Sequence, residues 1–296
     1  MPRKQFSPFL ISHLCIYYAL MSAFYNSAIG VVSKVLSAEM SSFEIVFFRN
    51  LIGLFIVLWV LAKTRDCNFF GGGHLGLLLF RGFIGICGVS AFFYNIAHTD
   101  LGTAFALYKT APIFTALAAA YFFGEKLSPL AWFAIILGFL GFAMIVQPSL
   151  GIKPTDIVGI VGGLCSGLAL TSVRELRKYY SANTIVLSYM ISGTVLMALV
   201  IGAGELGAYD LHFVVPSAKA WLYIALVAVG GYYFQLYLTK SYAATRKAGI
   251  PAAISYSEIL FSMAMGFAVG DVLPNALALA GIAVIIVSGL LIAKEK

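Results

Sequence analysis

Charge is scarce in this chain. Only 10% of its 296 residues are Asp, Glu, Lys or Arg, against roughly 25% in a soluble domain. Hydrophobic residues make up 61%. A water-soluble fold of this size has nowhere to hide that much apolar surface, because a folded chain still exposes much of itself. The principal solvent is therefore lipid. Cysteine is sparse too. Cys15, Cys67, Cys87 and Cys165 are scattered, three in apolar segments and one in a loop. They form neither a disulfide framework nor a metal spacing, and read as small apolar fillers. The histidines His13, His74, His98 and His212 are isolated, so no metal is expected. A Walker A loop is missing, which argues against direct ATP drive. Gly71-Gly72-Gly73 has no strand-helix context and is no dinucleotide fingerprint. Neither an enzyme nor a cofactor is expected. The net charge of +7 sits in short loops rather than on one face, so no nucleic acid is expected.

What is present is a series of apolar runs. A helix needs about 20 apolar residues to cross a bilayer. Ten runs of that order lie between polar breaks, at about 9–33, 43–62, 74–97, 102–123, 129–147, 154–173, 183–204, 217–240, 249–270 and 275–293. Arg3 and Lys4 precede the first, but it is too long for a secretory signal and reads as an uncleaved span. Gly and other small residues recur inside the runs and permit close helix approach. Basic residues orient the chain. With the N-terminus in the cytoplasm, the inner side holds Arg3, Lys4, Lys63, Arg65, Lys126, Arg174, Arg177, Lys178, Arg246, Lys247, Lys294 and Lys296. The outer side holds only Lys34, Lys153 and Lys219. Both termini are expected in the cytoplasm.

One stretch organises the rest. Residues 102–125 form an apolar helix containing Lys109 and Pro112 and ending at Gly124-Glu125. A degenerate copy at 248–271 ends at Gly270-Asp271, 146 residues later. Asn95-Ile96-Ala97 and Ser241-Tyr242-Ala243 precede the copies at the same offset. Ala134-x6-Gly141 and Gly281-x6-Ser288 correspond after a one-residue slip. Two halves, 1–148 and 149–296, with five spans each, follow. Five is odd, so the second copy enters the membrane upside down. The expected fold is an all-α integral membrane protein of ten transmembrane helices, arranged as two inverted five-helix repeats around a central cavity. Transporters use this plan with the site at the repeat interface. The bland alternative is that two Ala/Gly-rich helices look alike by composition.

These residues resemble the EamA-type ten-helix transporters of the drug/metabolite transporter superfamily. The motifs are Phe43 to Arg49 opening the second helix, Arg81-Gly82 in the third, and Pro112 with Gly124-Glu125 in the fourth. The resemblance covers roughly 15–293. It implies a secondary carrier of small metabolites, often amino acids or related compounds, working by alternating access. The second half departs from the family pattern. Glu258 is followed by Ile259 where Glu-Pro is common, and Asp271 replaces the closing Glu.

Four ionisable residues lie within the runs: Arg49, Arg81, Lys109 and Glu258. A charge at the bilayer centre costs about 2.5–3.5 kcal/mol, so each is expected to face the interior. At about 1.5 Å per residue, Arg49 and Lys109 lie about 9–11 Å below the outer surface. Arg81 and Glu258 lie about 11–14 Å above the inner one. Lys109 and Glu258 are thus only about 6 Å apart along the normal of a ~30 Å core, and their side chains can meet. One reading has them binding substrate charges; the other is a structural ion pair. Arg49 and Arg81 read as packing or gating contacts, or as substrate ligands. The four sum to +2, which favours a carboxylate-bearing solute.

Asn26, Asn95, Tyr94, Tyr108, Gln235, Tyr256 and Ser257 share those depths and line the pocket or bond between helices. Pro112 is expected to bend the fourth helix. Glu125 and Asp271 are expected to cap or latch the turns that follow, or to be solvated loop acids. Glu258, the only embedded carboxylate, is the candidate proton carrier. The expected protein is an exporter of a small polar metabolite in an inner (plasma) membrane, as monomer or homodimer. The alternatives are uptake of a nucleoside-like or S-adenosylmethionine-like solute, and a non-transporting membrane subunit.

Overall fold

In lipid every backbone polar group must be satisfied within its own segment, so apolar runs fold as helices. The computed structural model describes residues 8–64, 69–124, 126–147, 151–208, 210–244 and 249–295, and their regular structure is wholly helical. The helices are α1 (Pro8–Leu36), α2 (Ser42–Thr64), α3 (Leu75–His98), α4 (Leu101–Tyr108), α5 (Ala111–Phe123), α6 (Pro129–Val146), α7 (Pro154–Leu176), α8 (Ala182–Glu205), α9 (Ala218–Ala243), α10 (Gly249–Ile254), α11 (Ser257–Ala268) and α12 (Ala276–Glu295). Eight spans reach bilayer-crossing length among the described residues, and α4 with α5 makes one of them, Leu101–Phe122. The apolar helices Ser257–Ala268 and Ala276–Ile292 are shorter.

Local signals set the helix ends. Ser128, Ser181 and Ser217 accept the Ala131, Thr184 and Ala220 amides ahead of α6, α8 and α9, each satisfying an amide that the helix start leaves without a partner. Proline occupies the first turn of α5, α6 and α7, where its missing N–H costs nothing. Gly124, at φ 64°, turns the chain out of α5, a backbone region that side chains disfavour.

Helices pack in a regular scheme. The principal pairs are α1 with α9, α3 with α7, α2 with α8, and α6 with α12; α5 also packs on α7, and α11 on α1. Exchanging the first six helices with the last six leaves this set unchanged, whereas α3 also packs on α8 more extensively than its counterpart α9 does on α2. Small residues mark the contacts. A Cβ on Gly141 would lie 2.8 Å from the Gly281 carbonyl oxygen. Ser288 Oγ donates to the Ala134 carbonyl at 2.6 Å. Gln147 and Asn275 exchange two side-chain hydrogen bonds of 2.8 and 3.0 Å. These three registers run in opposite senses along the chain, so α6 and α12 are antiparallel. Likewise Gly53 meets Met190 while Gly193 meets Asn50, which makes α2 and α8 antiparallel. In both of these pairs the two helices therefore point in opposite directions.

The fourth expected span is interrupted rather than merely bent. Lys109 and Thr110 form a turn between α4 and α5. Pro112 supplies no N–H, so the Tyr108 carbonyl lacks its usual helical donor. The Thr110 amide and hydroxyl both donate to the Leu107 carbonyl, at 3.2 and 2.6 Å, which tightens and ends α4. The ninth span is interrupted at Ser255 and Tyr256. No proline follows Glu258, yet the helix stops. The Tyr256 and Glu258 amides reach back only three residues, to Ala253 and Ser255 carbonyls at 3.2 and 3.1 Å, the tighter bonding of a 3₁₀ turn.

Candidate functional site at the paired helix interruptions

The interruption at Lys109 and the one at Ser255 face each other. Lys109 Nζ donates to Ser255 Oγ at 3.3 Å and lies 3.1 Å from Glu258 Oε1. Both side chains are almost fully enclosed, at 12% and 3% exposure, so the pair is held in a low dielectric. Glu258 has further partners. Asn26 Nδ2 of α1 donates to Glu258 Oε2 at 2.6 Å, and Ser27 Oγ donates to the Glu258 carbonyl at 3.0 Å. Tyr256 is buried beneath Lys109, with Nζ 5.9 Å from its ring centre, and its hydroxyl points to the Lys109 carbonyl at 3.5 Å. That ring fits only because α12 carries glycine at 289; a methyl there would overlap it. Asn26, Lys109, Tyr256 and Glu258 thus converge from three stretches of chain.

The other expected residues divide. Tyr108 stacks on Phe92 at 4.4 Å and lies within electrostatic reach of Arg49, Arg81 and Glu258. Arg49 sits 5.3 Å from the Phe93 ring centre and Arg81 5.2 Å from that of Tyr189. Arg81 folds back along α3, and a methyl on Gly85 would overlap its guanidinium. Asn95 does not join the Lys109 cluster. It is buried against Gly159 of α7, and its Oδ1 accepts no hydrogen bond. Asn95 and Tyr108 border a crevice with Gly159, Gly162 and Gly163 that is too narrow to admit a water molecule. Tyr94 stacks on His98 instead, at 4.1 Å. Ser257 Oγ is buried without a partner.

Gln235 stands on α9, but its side chain lies outside the described residues, as do Glu125, Cys67 and, from the orientation count, Arg3, Lys4, Arg65, Arg246, Lys247, Lys296 and the side chains of Arg174 and Lys294.

Sequence reasoning missed three features. First, Asp271, expected to cap or latch the turn that follows it, instead ties other elements together. It pairs with Lys34 at the end of α1, and its Oδ2 accepts the Leu101 amide at 2.8 Å. Lys34 Nζ also donates to the Thr99 carbonyl at 2.7 Å. The acid's position at a helix end was the available signal; the lysine offered none. Second, Glu44 is fully buried, accepting from the Ser41 and Val214 amides at 2.8 and 2.7 Å. Third, tyrosines of α1 and α9 stack in a ladder. Tyr25 lies 5.3 Å from Tyr233 and 5.7 Å from Tyr237, and Lys240 Nζ lies 5.6 Å from Tyr18 and 5.7 Å from Tyr237.

Comparison with known proteins places this geometry. Residues 13–147 match the EamA-like transporter family. An uncharacterised transporter of Helicobacter pylori is 31% identical over 97% of this chain and 93% of its own. A pseudopaline exporter of Pseudomonas aeruginosa is 27% identical over 95% of this chain and 96% of its own. An S-adenosylmethionine uptake transporter of Rickettsia conorii is 22% identical over 94% of this chain and 91% of its own. A crystal structure 17% identical to the chain shares the fold, with a TM-score of 0.61 over 96% of this chain and 97% of the other. Polytopic helices, buried charge at two interrupted spans and relatives that are transporters along their full length together lead to one conclusion: the chain is a multi-pass membrane transporter, not an enzyme, and belongs to the EamA-like family of the drug/metabolite transporter superfamily.

Proposed function

We propose that this transporter is a secondary carrier of a small polar metabolite, an amino acid or related carboxylate-bearing compound, moved outward by alternating access. The observation that carries the reading is the Lys109–Glu258 pair, 3.1 Å apart where two interrupted helices meet. Half-helix ends expose backbone groups that can take part in ligand binding, as in other carriers with broken helices. Two inverted repeats, 1–148 and 149–296, are supported by the antiparallel run of α2 against α8 and of α6 against α12. In this reading Lys109, Glu258, Asn26 and Tyr256 contact the substrate's polar groups, with Tyr108, Arg49 and Arg81 beside them. Glu258 carries the coupling proton. Both termini stay in the cytoplasm of a cell whose inner membrane holds the protein.

Liposomes containing the purified protein and loaded with a labelled amino-acid mixture test this. Efflux of at least one solute above protein-free vesicles, driven by an imposed proton gradient, is expected. A protein that moves none of them is a non-transporting subunit for these solutes. A second reading, uptake of a solute with a heteroaromatic ring, is favoured by the Tyr25, Tyr233 and Tyr237 stack. It predicts that S-adenosylmethionine, and not amino acids, accumulates inside the vesicles.

A further inference from the structure

The Lys109–Glu258 pair neutralises itself, which leaves two guanidinium groups to explain. Arg49 Nη1, Arg81 Nε and Arg81 Nη1 are buried and donate no hydrogen bond. The buried acids among the described residues are committed elsewhere. Glu258 holds Lys109 and Asn26, Glu44 holds the Ser41 and Val214 amides, and Asp156 holds the Lys153 amide. Each guanidinium lies over an aromatic face, Arg49 over Phe93 and Arg81 over Tyr189. A ring face is a weak partner for a buried cation, and an unpaired buried charge is strongly unfavourable. Yet the structure accommodates one of them deliberately: Gly85 lacks the methyl that would displace the Arg81 guanidinium. Both cations border α3: Phe93, which faces Arg49, packs on Phe92, the ring stacked on Tyr108, and the Arg81 guanidinium lies against Gly85, about two turns earlier on the same helix. A planar fork with free N–H donors, repeated twice, suits carboxylate oxygens.

We infer that Arg49 and Arg81, beside Tyr108, form the anion subsite of the transport pathway, and that its occupant is an organic dicarboxylate, one negative charge for each unpaired guanidinium. This deepens the carrier reading and rests on it. The Lys109–Glu258 pair then serves the substrate's remaining polar groups rather than its main charge.

The test uses the full-length protein in detergent, with succinate, glutarate and adipate as probes and chloride, sulfate and succinamide as controls. A dicarboxylate should raise the melting temperature in proportion to the logarithm of its concentration; succinamide and chloride should not. Arg49→Gln and Arg81→Gln should each weaken the apparent affinity about ten- to a hundredfold. Arg49→Lys and Arg81→Lys should keep part of the effect, because charge remains while the fork is lost. Without ligand, each Gln variant should melt at or above the parent temperature, since an uncompensated charge is gone. A purely structural arginine predicts the reverse. The inference is overturned if succinamide stabilises as well as succinate, if sulfate alone stabilises, or if both Gln variants retain the shift. Dicarboxylate binding without vesicle transport would leave the subsite standing and remove the carrier reading. Transport indifferent to substrate charge would do the opposite.

Discussion

Lys109 and Ser255 are 146 residues apart, the separation that relates the two closing Gly-acid pairs, and they touch: Lys109 Nζ donates to Ser255 Oγ at 3.3 Å. Each residue is the first of the two-residue turn that interrupts its span. The two interruptions have thus become spatial neighbours, and Glu258, one turn beyond Ser255, is set against the lysine.

The ion pair can be dissected by a double-mutant cycle. Removing one partner of an enclosed pair leaves a lone charge and costs about 3–5 kcal/mol, whereas replacing both is far milder. Lys109→Met and Glu258→Gln should each depress the melting temperature, and the double variant should recover most of the loss. Additive losses would show that the two side chains do not interact. In transport, Lys109→Ala should impair carboxylate-bearing and neutral polar solutes alike, because the two arginines carry the charge recognition; a loss confined to carboxylate-bearing solutes would move that role to Lys109.

The Lys34–Asp271 contact joins the end of α1 to the end of α11, and the Leu101 amide joins α4 to the same carboxylate. Met263 packs against Gly102 just behind it. Asp271→Asn removes the charge but keeps the shape. It should speed the reaction of a Met263→Cys variant with a membrane-impermeant maleimide added from the Asp271 side, several-fold at least. An unchanged labelling rate would mean that the carboxylate does not hold this end shut.

The α6–α12 seam depends on backbone approach. Gly141→Leu or Gly281→Leu places a side chain where a carbonyl lies within 2.8 Å of the first added carbon. Overpacking of this kind typically costs about 1–3 kcal/mol. Ser288→Ala, which loses the 2.6 Å bond to the Ala134 carbonyl, should cost only about 0.6 kcal/mol, the average for such bonds within membranes. Thermal unfolding in one detergent would rank the variants, and an equal cost for Gly281→Leu and Ser288→Ala would refute the close approach.

Gly289 makes room for Tyr256. Gly289→Ala should push the ring from beneath Lys109 and lower transport more than stability. Tyr256→Phe, which loses the 3.5 Å contact to the Lys109 carbonyl, should leave stability nearly unchanged. A stable, fully active Gly289→Ala protein would show that the ring's position is immaterial.

Lys109 and Glu258 were legible because an ionisable residue in a long apolar run is costly and must find company. Their partner Asn26 was legible for the same reason in weaker form. The interruptions were not. Proline at 112 signals a bend two residues late, and Ser255-Tyr256 carries no breaker. Tyr256 hydrogen-bonds to the far side of the junction, which no local propensity records. Lys34 looked like an ordinary outer charge and Asp271 like a latch on its own turn, since their closeness arises only when α1 and α11 pack. Tyr189 was invisible as the platform for Arg81, because tyrosine in a membrane helix is most often an interfacial anchor. Asn95 kept two readings in the sequence, pocket or interhelical contact, because depth alone gives no direction around the helix.

Four short rods, α4, α5, α10 and α11, end at a shared point. At that point few backbone rungs must shear for any rod to tip. A load seated there bears on all four at once, so its arrival is felt at both faces of the bilayer. The same economy has a weakness: stiffening a single pivot, by cross-link or by a restored helical rung, should freeze the whole assembly.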